Sequence, residues 1–344
     1  MKKLVAIVLA LLMLAIVVVG CQTGEPAKTD NPAKSEQPAD SKDPAESKGP
    51  DIQGGDDVTP AKEGMKFGLV VKNLSNPYFV TLADGAKEAA NKLGIDLDVQ
   101  ATTDDTQINE QINILDTMVT QKYDAILCIP LNNVSVVPWV VRANKAGVPV
   151  INLDTAFDED EMKAQGASVV CKIFTDNISA GEEAAKAIVK ALDGKGKVAM
   201  LEGTSGATTA EDRKTGFNNV MSKESGIEVV ASMEAKYNRN EAYTVMTNIL
   251  SANPDLNAVF AANDEMALGA IAAIKEQGKI DQIKVVGVNY GEEIQQAMKA
   301  GEALGSVNQD PAWIGYQGVI CANNYLKGQD LEYIYQSESV MMYE

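Results

Sequence analysis

The sequence predicts an α/β protein made of two doubly wound parallel sheets. From Met65 onward, short apolar runs alternate with segments of helical periodicity. The runs at 125–129 (AILCI) and 258–262 (AVFAA) are apolar throughout, which is typical of parallel strands covered by helices on both faces. Regular alternation of strands and helices gives doubly wound sheets. Because the strands are too many for one compact sheet of normal size, we expect two such sheets.

The predicted elements follow one another in strict order. The first half has strands and helices at Phe67–Val71 (β), Pro77–Leu93 (α), Leu97–Ala101 (β), Ile108–Val119 (α), Ala125–Ile129 (β), Val134–Ala146 (α) and Val148–Leu153 (β). The second half repeats the pattern at Ala180–Leu192 (α), Val198–Leu201 (β), Ala210–Met221 (α), Val229–Met233 (β), Tyr243–Leu250 (α), Ala258–Phe260 (β), Met266–Glu276 (α), Val285–Val288 (β) and Ile294–Lys299 (α). Sheets of this kind bind ligands at the carboxyl ends of their strands, so function is expected there.

The N-terminus indicates export. Lys2 and Lys3 precede an apolar run that ends at Gly20, which is typical of a secretory signal peptide over residues 1–20. Cys21 follows in the sequence VVGC, which resembles a bacterial lipobox, so we expect Cys21 to become the lipid-bearing N-terminus. An uncleaved membrane anchor is the alternative. Either interpretation places the rest of the chain outside the cytoplasm, at the outer face of the bacterial cell membrane.

Residues 21–64 are expected to form a lipid-anchored, disordered, proline-rich tether. Imperfect six-residue repeats begin at Glu25, Asn31, Gln37 and Asp43, and half of the 12 prolines of the chain lie between Glu25 and Pro60. This stretch has almost no large apolar residue, so it cannot bury enough surface to fold.

Composition excludes several classes of function. The net charge of −18 opposes binding to nucleic acid, whose phosphates require a basic surface. The absence of histidine removes the commonest general base and metal ligand. The acidic run at 158–161 lacks the spacing of a calcium loop and is interpreted as a solvated loop, and 104–105 (DD) as a helix start. We therefore expect no metal and no cofactor.

Three cysteines follow Cys21 in the chain. Cys128, Cys171 and Cys321 each lie within an apolar run, where thiols usually pack as small hydrophobic groups. A disulfide between two of them is possible outside the cell, but the sequence does not indicate which two.

Polar and aromatic residues follow the predicted strands at corresponding positions. The segments are 73–79 (NLSNPYF), 154–155 (DT), 204–213, 237–239 (YNR), 263–265 (NDE), 289–290 (NY) and 306–310 (SVNQD). Planar amides, carboxylates and guanidinium groups can each bond two neighbouring hydroxyls, and aromatic rings can cover the apolar face of a sugar. A single asparagine after a strand is usually a turn residue, but a repeated set indicates a binding cleft.

From about Lys66 to the end, the chain resembles the ribose-type periplasmic sugar-binding proteins, the solute-binding components of ABC importers. The resemblance rests on 76–79 (NPYF), 153–154 (LD), Arg213 with Gly216-Phe217, 263–269 (NDEMALG) and 309–311 (QDP), in the order and spacing of the family. It implies two lobes joined by three crossing segments near 175–176, 309–310 and 338–339. Lobe I would then comprise 65–175 and 310–338, and lobe II 176–309 and 339–344.

The resemblance also implies roles for individual residues. Hydrogen bonds to sugar hydroxyls are expected from Asn76, Asp154, Arg213, Asn263 and Gln309, and ring contacts from Tyr78, Phe79 and Tyr237. Two positions depart from the ribose pattern, because Thr155 stands where close ribose binders have arginine and Asn289 where they have aspartate. Both positions are expected in the ligand site. Since threonine is shorter than arginine, we expect a hexose, with ribose as the alternative.

The resulting interpretation is a binding protein and not an enzyme. It would act as a monomer that captures a monosaccharide and delivers it to an ABC transporter permease. A receptor that reports a sugar to a chemotaxis or sensing partner is the alternative. A more distant alternative is an exported carbohydrate-active enzyme, with Asp154 and Glu202 as its carboxylate pair.

Overall fold

The structure, a computed structural model, describes residues 60–344. These residues form ten helices and twelve strands, and the strands make two six-stranded sheets. The predicted class, two α/β lobes with parallel sheets, is confirmed. The expected signal peptide, the lipid on Cys21 and the tether as far as residue 59 lie outside the described residues. Within 60–344, no helix has both the length and the apolar character needed to cross a membrane.

The first sheet has the strand order β11-β5-β4-β3-β1-β2 and is parallel throughout. Its strands are β1 Lys66–Val71, β2 Asp96–Ala101, β3 Ala125–Cys128, β4 Val150–Leu153, β5 Lys172–Thr175 and β11 Ile334–Ser337. The associated helices are α1 Pro77–Leu93, α2 Ile108–Thr120, α3 Val137–Lys145, α4 Glu159–Gln165 and α10 Pro311–Leu326. We call this unit lobe I.

The second sheet has the order β12-β10-β9-β8-β6-β7, and only β12 runs antiparallel to its neighbour. Its strands are β6 Gly196–Glu202, β7 Ile227–Glu234, β8 Ala258–Ala261, β9 Lys284–Val288, β10 Gly305–Asn308 and β12 Val340–Met342. The helices of this unit are α5 Asn177–Ala191, α6 Thr208–Met221, α7 Arg239–Ala252, α8 Asp264–Glu276 and α9 Glu292–Lys299. We call it lobe II.

The chain passes between the two sheets three times, from β5 to α5, from β10 to α10 and from β11 to β12. Side-chain hydroxyls tie these crossings together. Ser337 Oγ lies 3.1 Å from Thr175 Oγ1 and donates to the carbonyl of Gln309 at 2.8 Å, and Ser339 Oγ donates to the carbonyl of Asp176 at 2.9 Å. The three crossings therefore form one hydrogen-bonded hinge.

Apolar residues fill the space between sheets and helices in both lobes. In lobe I, Phe67 and Leu127 on neighbouring strands are fully buried, and in lobe II Phe217 stacks on Phe260 with ring centroids 5.4 Å apart. Helices α1 and α10 approach each other very closely, since a Cβ built on Gly315 would lie 1.9 Å from the carbonyl oxygen of Leu82. A glycine is therefore required at this crossing of the two helices.

Several local predictions were wrong. The acidic run is a helix and not a loop, because Asp158 caps the N-terminus of α4 by accepting from Glu161 N at 2.8 Å. Ser306 and Asn308 lie within β10 and do not follow it. The folded unit also starts earlier than the expected tether boundary, since Ala61 N donates to Leu93 O at 3.0 Å.

Candidate functional site

A cavity lies where the carboxyl ends of strands from both sheets face each other, and its space, open solvent included, is about 380 Å³. Its lining consists of Lys72, Asn76, Tyr78, Phe79, Asp105, Asp154, Thr209, Arg213, Tyr237, Asn263, Asn289 and Gln309. Nine of the ten residues expected from the sequence are among them, and Thr155 is not. Lys72, Asp105 and Thr209 were not expected. Residues more than 200 positions apart in the chain, such as Asn76 and Gln309, thus share one concave site.

On the lobe I side, Asn76 holds the start of α1. Its Oδ1 accepts from Tyr78 N at 3.0 Å, and Pro77 occupies the first helical position. This cap uses the side-chain oxygen of Asn76 and leaves its amide N–H groups to donate. The rings of Tyr78 and Phe79 meet edge to face, with centroids 5.2 Å apart and planes at 81°. They provide two differently oriented apolar surfaces in the cavity.

Asp154 is the buried carboxylate of the cavity and is fixed by two hydroxyls. Tyr78 Oη donates to its Oδ1 at 2.7 Å, and Thr155 Oγ1 donates to its Oδ2 at 3.0 Å. Burial, followed by the neighbouring Asp154 charge, raises the pKa of Tyr78 well above its ordinary value, so this hydroxyl remains a donor. Thr155 therefore orients the Asp154 carboxylate through a hydrogen bond but does not itself line the cavity.

Arg213, on α6, is the buried cation of the lobe II side, with 4% of its surface exposed. Its Nε donates to Asn177 Oδ1 at 2.8 Å, Nη1 to the carbonyl of Ala262 at 2.6 Å and Nη2 to Gln309 Oε1 at 2.9 Å. A guanidinium has five N–H donors, so two remain for a ligand.

Gln309 joins the cavity to the hinge. Its Oε1 accepts from Arg213, its Nε2 donates to Asn289 Oδ1 at 2.5 Å, and its carbonyl accepts from Ser337. The side chain of Gln309 thus contacts lobe II groups while its backbone contacts lobe I. A change in the hinge would move this amide relative to the cavity.

Asn263 and Tyr237 form the remaining lobe II wall. Asn263 caps α8 through Met266 N at 2.9 Å, and its Nδ2 donates to the carbonyl of Tyr237 at 3.3 Å. The Tyr237 hydroxyl pairs with Thr209 Oγ1 at 3.0 Å, and burial raises its pKa. A Cβ on Gly203 would lie 2.2 Å from the Tyr237 ring, so a glycine is required behind this ring.

Backbone strain is concentrated at the cavity. Asp154, Tyr237 and Asn289 have φ of 57°, 57° and 130°, and Asp310, which follows Gln309, has φ of 48°. Positive φ is uncommon for residues other than glycine and is frequent at functional sites, where the surrounding structure holds it. The sequence pattern does not predict these backbone conformations.

Two of the unexpected lining residues carried a signal in the sequence. Lys72 directly follows β1, at the same kind of strand end as the expected residues. Asp105 follows β2, and its Oδ1 accepts from Asn73 Nδ2 at 2.6 Å, so it is a cavity residue and not simply a helix start. The Lys72 side chain is 8% exposed, and its ammonium has neither a hydrogen bond nor an ion pair among residues 60–344.

The charges of the cavity balance, because its lining contains two cationic residues, Lys72 and Arg213, and two acidic residues, Asp105 and Asp154. Asp154 and Glu202, the carboxylate pair expected for a carbohydrate-active enzyme, do not share the cavity. Glu202 is not among the lining residues, and it accepts from Lys214 Nζ at 2.9 Å and from Ser232 Oγ at 2.6 Å. Within 60–344, no group of three or more acidic or cysteine side chains is arranged to hold a metal ion. The arrangement is suited to hydrogen bonding of a small polar molecule.

Two α/β lobes with a polar cleft at the strand ends are the architecture of the type I periplasmic binding proteins. The model of the periplasmic binding protein domain family matches residues 67–330. The chain therefore belongs to the periplasmic binding protein family, whose members are binding components of transport systems and not enzymes.

Curated relatives and solved structures agree with this assignment. The chain is 34% identical to the D-allose-binding periplasmic protein of Escherichia coli (strain K12), over 76% of this chain and 84% of that protein. It is 33% identical to the ribose import binding protein RbsB of Bacillus subtilis (strain 168), over 79% and 85%. An ABC transporter periplasmic solute-binding protein from Actinobacillus succinogenes 130z with bound D-allose superimposes with a TM-score of 0.79 at 32% identity, covering 81% of this chain and 97% of that one.

Proposed function

We propose that this protein captures a monosaccharide in its cleft and delivers it to an ABC importer permease. The observation that carries the proposal is the cavity itself, which combines a fixed carboxylate, a fixed guanidinium and three aromatic rings between two lobes. Neighbouring hydroxyls of a sugar can bond Asp154 and the free N–H groups of Arg213, while the rings of Tyr78, Phe79 and Tyr237 cover its apolar faces.

We infer that the ligand is a hexose, with D-allose as the first candidate. Thr155 directs its hydroxyl to Asp154 and does not line the cavity, so the side chain at this position takes up no cavity space. Asn289 lacks the charge of an aspartate and is held by Gln309. The similarity to the D-allose-binding protein of Escherichia coli supports this choice, and ribose remains the alternative because ribose import proteins are similarly related.

Binding would work by closure of the two lobes. A sugar that contacts both walls binds the closed form more tightly than the open form, and this difference shifts the hinge equilibrium. A micromolar dissociation constant requires a net binding free energy of about −8 kcal/mol. Charge-assisted hydrogen bonds of about 1.5–3 kcal/mol each, together with the ring contacts, are sufficient for this.

Isothermal titration calorimetry with a panel of aldohexoses and aldopentoses tests the ligand class. We expect D-allose or another hexose to bind at least tenfold more tightly than D-ribose. Tighter binding of ribose than of every hexose would contradict the hexose assignment, and binding of no monosaccharide would contradict the proposed function.

We further propose that the protein is a lipoprotein anchored through Cys21 and that it acts as a monomer. Cells grown with a labelled fatty acid should incorporate the label into the unchanged chain and not into the Cys21→Ala variant, whereas equal labelling of the two would contradict the lipid anchor. Co-purification with a permease supports import, whereas co-purification with a signalling receptor supports the sensing alternative.

A further inference from the structure

Three buried thiols lie outside the cavity. Cys128, Cys171 and Cys321 are free and at most 1% exposed. Cys171 and Cys321 belong to the same apolar cluster of lobe I, whereas Cys128 belongs to a separate cluster that contains Trp139. The structure therefore separates one cysteine from the other two, which the sequence cannot do.

The two clustered cysteines come together where helix α10 crosses the first sheet. Cys171 directly precedes β5, and α10, which carries Cys321, packs against β3, β4 and β5. Gly318, one turn before Cys321, allows this close approach, because a Cβ there would lie 2.8 Å from Leu127 Cδ2. The thiols of Cys171 and Cys321 are close enough for each to shift the pKa of the other.

We propose that Cys171 and Cys321 form a disulfide in the exported protein. Disulfides form and persist outside the cytoplasm, where the periplasmic binding protein family works. Both cysteines lie in lobe I, so the bond would leave the hinge free to close. It would enclose residues 171–321, and with them five of the six strands of lobe II, in one covalent loop. Closing so long a loop restricts the unfolded chain and stabilises the fold.

Cys321 is the thiol placed to react first. Gln317 lies on α10 with Cys321 and donates from Nε2 to its Sγ at 3.5 Å, so this bond favours the Cys321 thiolate even while α10 is not docked on β5. The Cys321 thiolate attacks an external disulfide, of a small molecule or an oxidoreductase, and one thiolate leaves. Cys171 then loses its proton to a leaving thiolate, attacks the mixed disulfide and releases the second thiol. One external disulfide is reduced to two thiols for each bond formed. Because both sulfurs are buried in the finished fold, exchange takes place before α10 docks on β5.

Peptide mapping of the full chain tests the pair. The chain is exported in a bacterial host, purified without reductant, denatured, alkylated with iodoacetamide and digested with trypsin. We expect the peptides 164–172 and 300–327 to be joined, lighter by two hydrogen atoms than their sum, and the peptide 123–142 to carry an alkylated Cys128. Alkylation of all three cysteines before reduction, or a bond to Cys128, would overturn the proposal.

Melting temperatures give a second readout that is independent of the ligand. Dithiothreitol should lower the melting temperature of the unchanged protein and of the control variant Cys128→Ser. The Cys171→Ser variant should melt at the lower temperature in both conditions. An equal response of the Cys171→Ser variant and the unchanged protein to dithiothreitol would also overturn the proposal.

Discussion

The two walls of the cleft carry different chemistry. Lobe I supplies both carboxylates of the cavity, Asp105 and Asp154, together with Lys72, whereas lobe II supplies Arg213 and amide side chains but no carboxylate. Sugar hydroxyls both donate and accept hydrogen bonds, so they can meet the carboxylates that only lobe I supplies and the guanidinium that only lobe II supplies. Neither wall therefore carries all of the groups that a sugar needs, and closure of the lobes would bring the two sets together.

The two walls also differ in the hydrogen bonds that fix their buried charged residues, Asp154 on lobe I and Arg213 on lobe II. Asp154 accepts from two hydroxyls of its own lobe, those of Tyr78 and Thr155. Arg213 instead donates to groups from lobe II and from the hinge, so it holds part of the structure together as well as facing the cavity. Loss of Asp154 should therefore reduce binding most, and loss of Arg213 should reduce both binding and stability.

The largest effect is expected for Asp154→Ala. Removal of this carboxylate leaves two ligand hydroxyls without their charged acceptor, which costs about 4 kcal/mol, or roughly 1000-fold in the dissociation constant for D-allose. Calorimetry measures the loss. The control is Asp116→Ala, which removes an exposed carboxylate of the same lobe that pairs with Arg142. Full affinity in Asp154→Ala would contradict the assignment of this wall.

The carboxyl of Asp264 provides a contrast within lobe II, because it is buried and lies outside the cavity lining. It accepts from Ser306 Oγ at 2.6 Å and from Gly291 N at 2.9 Å, and burial raises its pKa to about 6. Below its ordinary value of 3.8 it is protonated in the folded and the unfolded chain, and above 6 it is ionised in both. Between these values the folded chain binds more protons, so the contribution of this group to stability falls as the pH rises.

The Asp264→Asn variant tests this contrast. The free energy of unfolding of the unchanged protein should fall relative to the variant by up to roughly 3 kcal/mol between pH 4 and pH 7, since each unit of pKa shift is worth about 1.4 kcal/mol. Denaturant unfolding at several pH values measures the difference. A difference between the two proteins that stays constant with pH would contradict the raised pKa.

Arg213→Lys addresses the lobe II wall directly. Lysine keeps the charge but loses the planar fork that reaches Asn177, Ala262 and Gln309 at once. We expect about 2 kcal/mol weaker binding, or roughly 30-fold, together with a lower melting temperature. Arg239→Lys is the control, because Arg239 lies on the same lobe and pairs with Glu265 and Glu293 away from the cavity. If Arg213→Lys lost affinity but kept its melting temperature, Arg213 would bind the ligand without stabilising lobe II. The proposed difference between Arg213 and Asp154 would then be wrong.

Sequence patterns predicted the parts of the molecule that depend on periodicity. Up to Lys299 the helices other than α4 and the buried strands other than β5 were found, and α10 was also not among the predicted elements. β5 is only four residues long and begins with Lys172, and α10 has apolar residues on most of its surface, so neither shows a clear period. The location of the cavity was predicted because the carboxyl ends of the strands converge in a parallel fold.

The remaining features of the site depend on three-dimensional contacts. Thr155 was placed in the ligand site because close ribose binders have an arginine at this position. In the structure Asp154 has a positive φ, and the hydroxyl of Thr155 donates to the Asp154 carboxylate. Lys72 and Asp105 belong to residue types that are ordinary after strands, and only the fold shows that both face the cavity. Local sequence does not encode such orientations.

Tyr78→Phe should give the smallest effect and isolates the support of Asp154. The substitution keeps the ring and removes the hydroxyl that donates to Asp154 Oδ1, one of two such donors. Binding should weaken by about 1 kcal/mol, or roughly fivefold, since one neutral hydroxyl is lost while the carboxylate stays bonded to Thr155 and the ligand. The control is Tyr123→Phe, which removes a lobe I hydroxyl that donates to Asp98 at 2.7 Å outside the cavity. If Tyr78→Phe weakened binding as much as Asp154→Ala, the hydroxyl itself would contact the sugar; unchanged binding would mean that Thr155 alone holds the carboxylate.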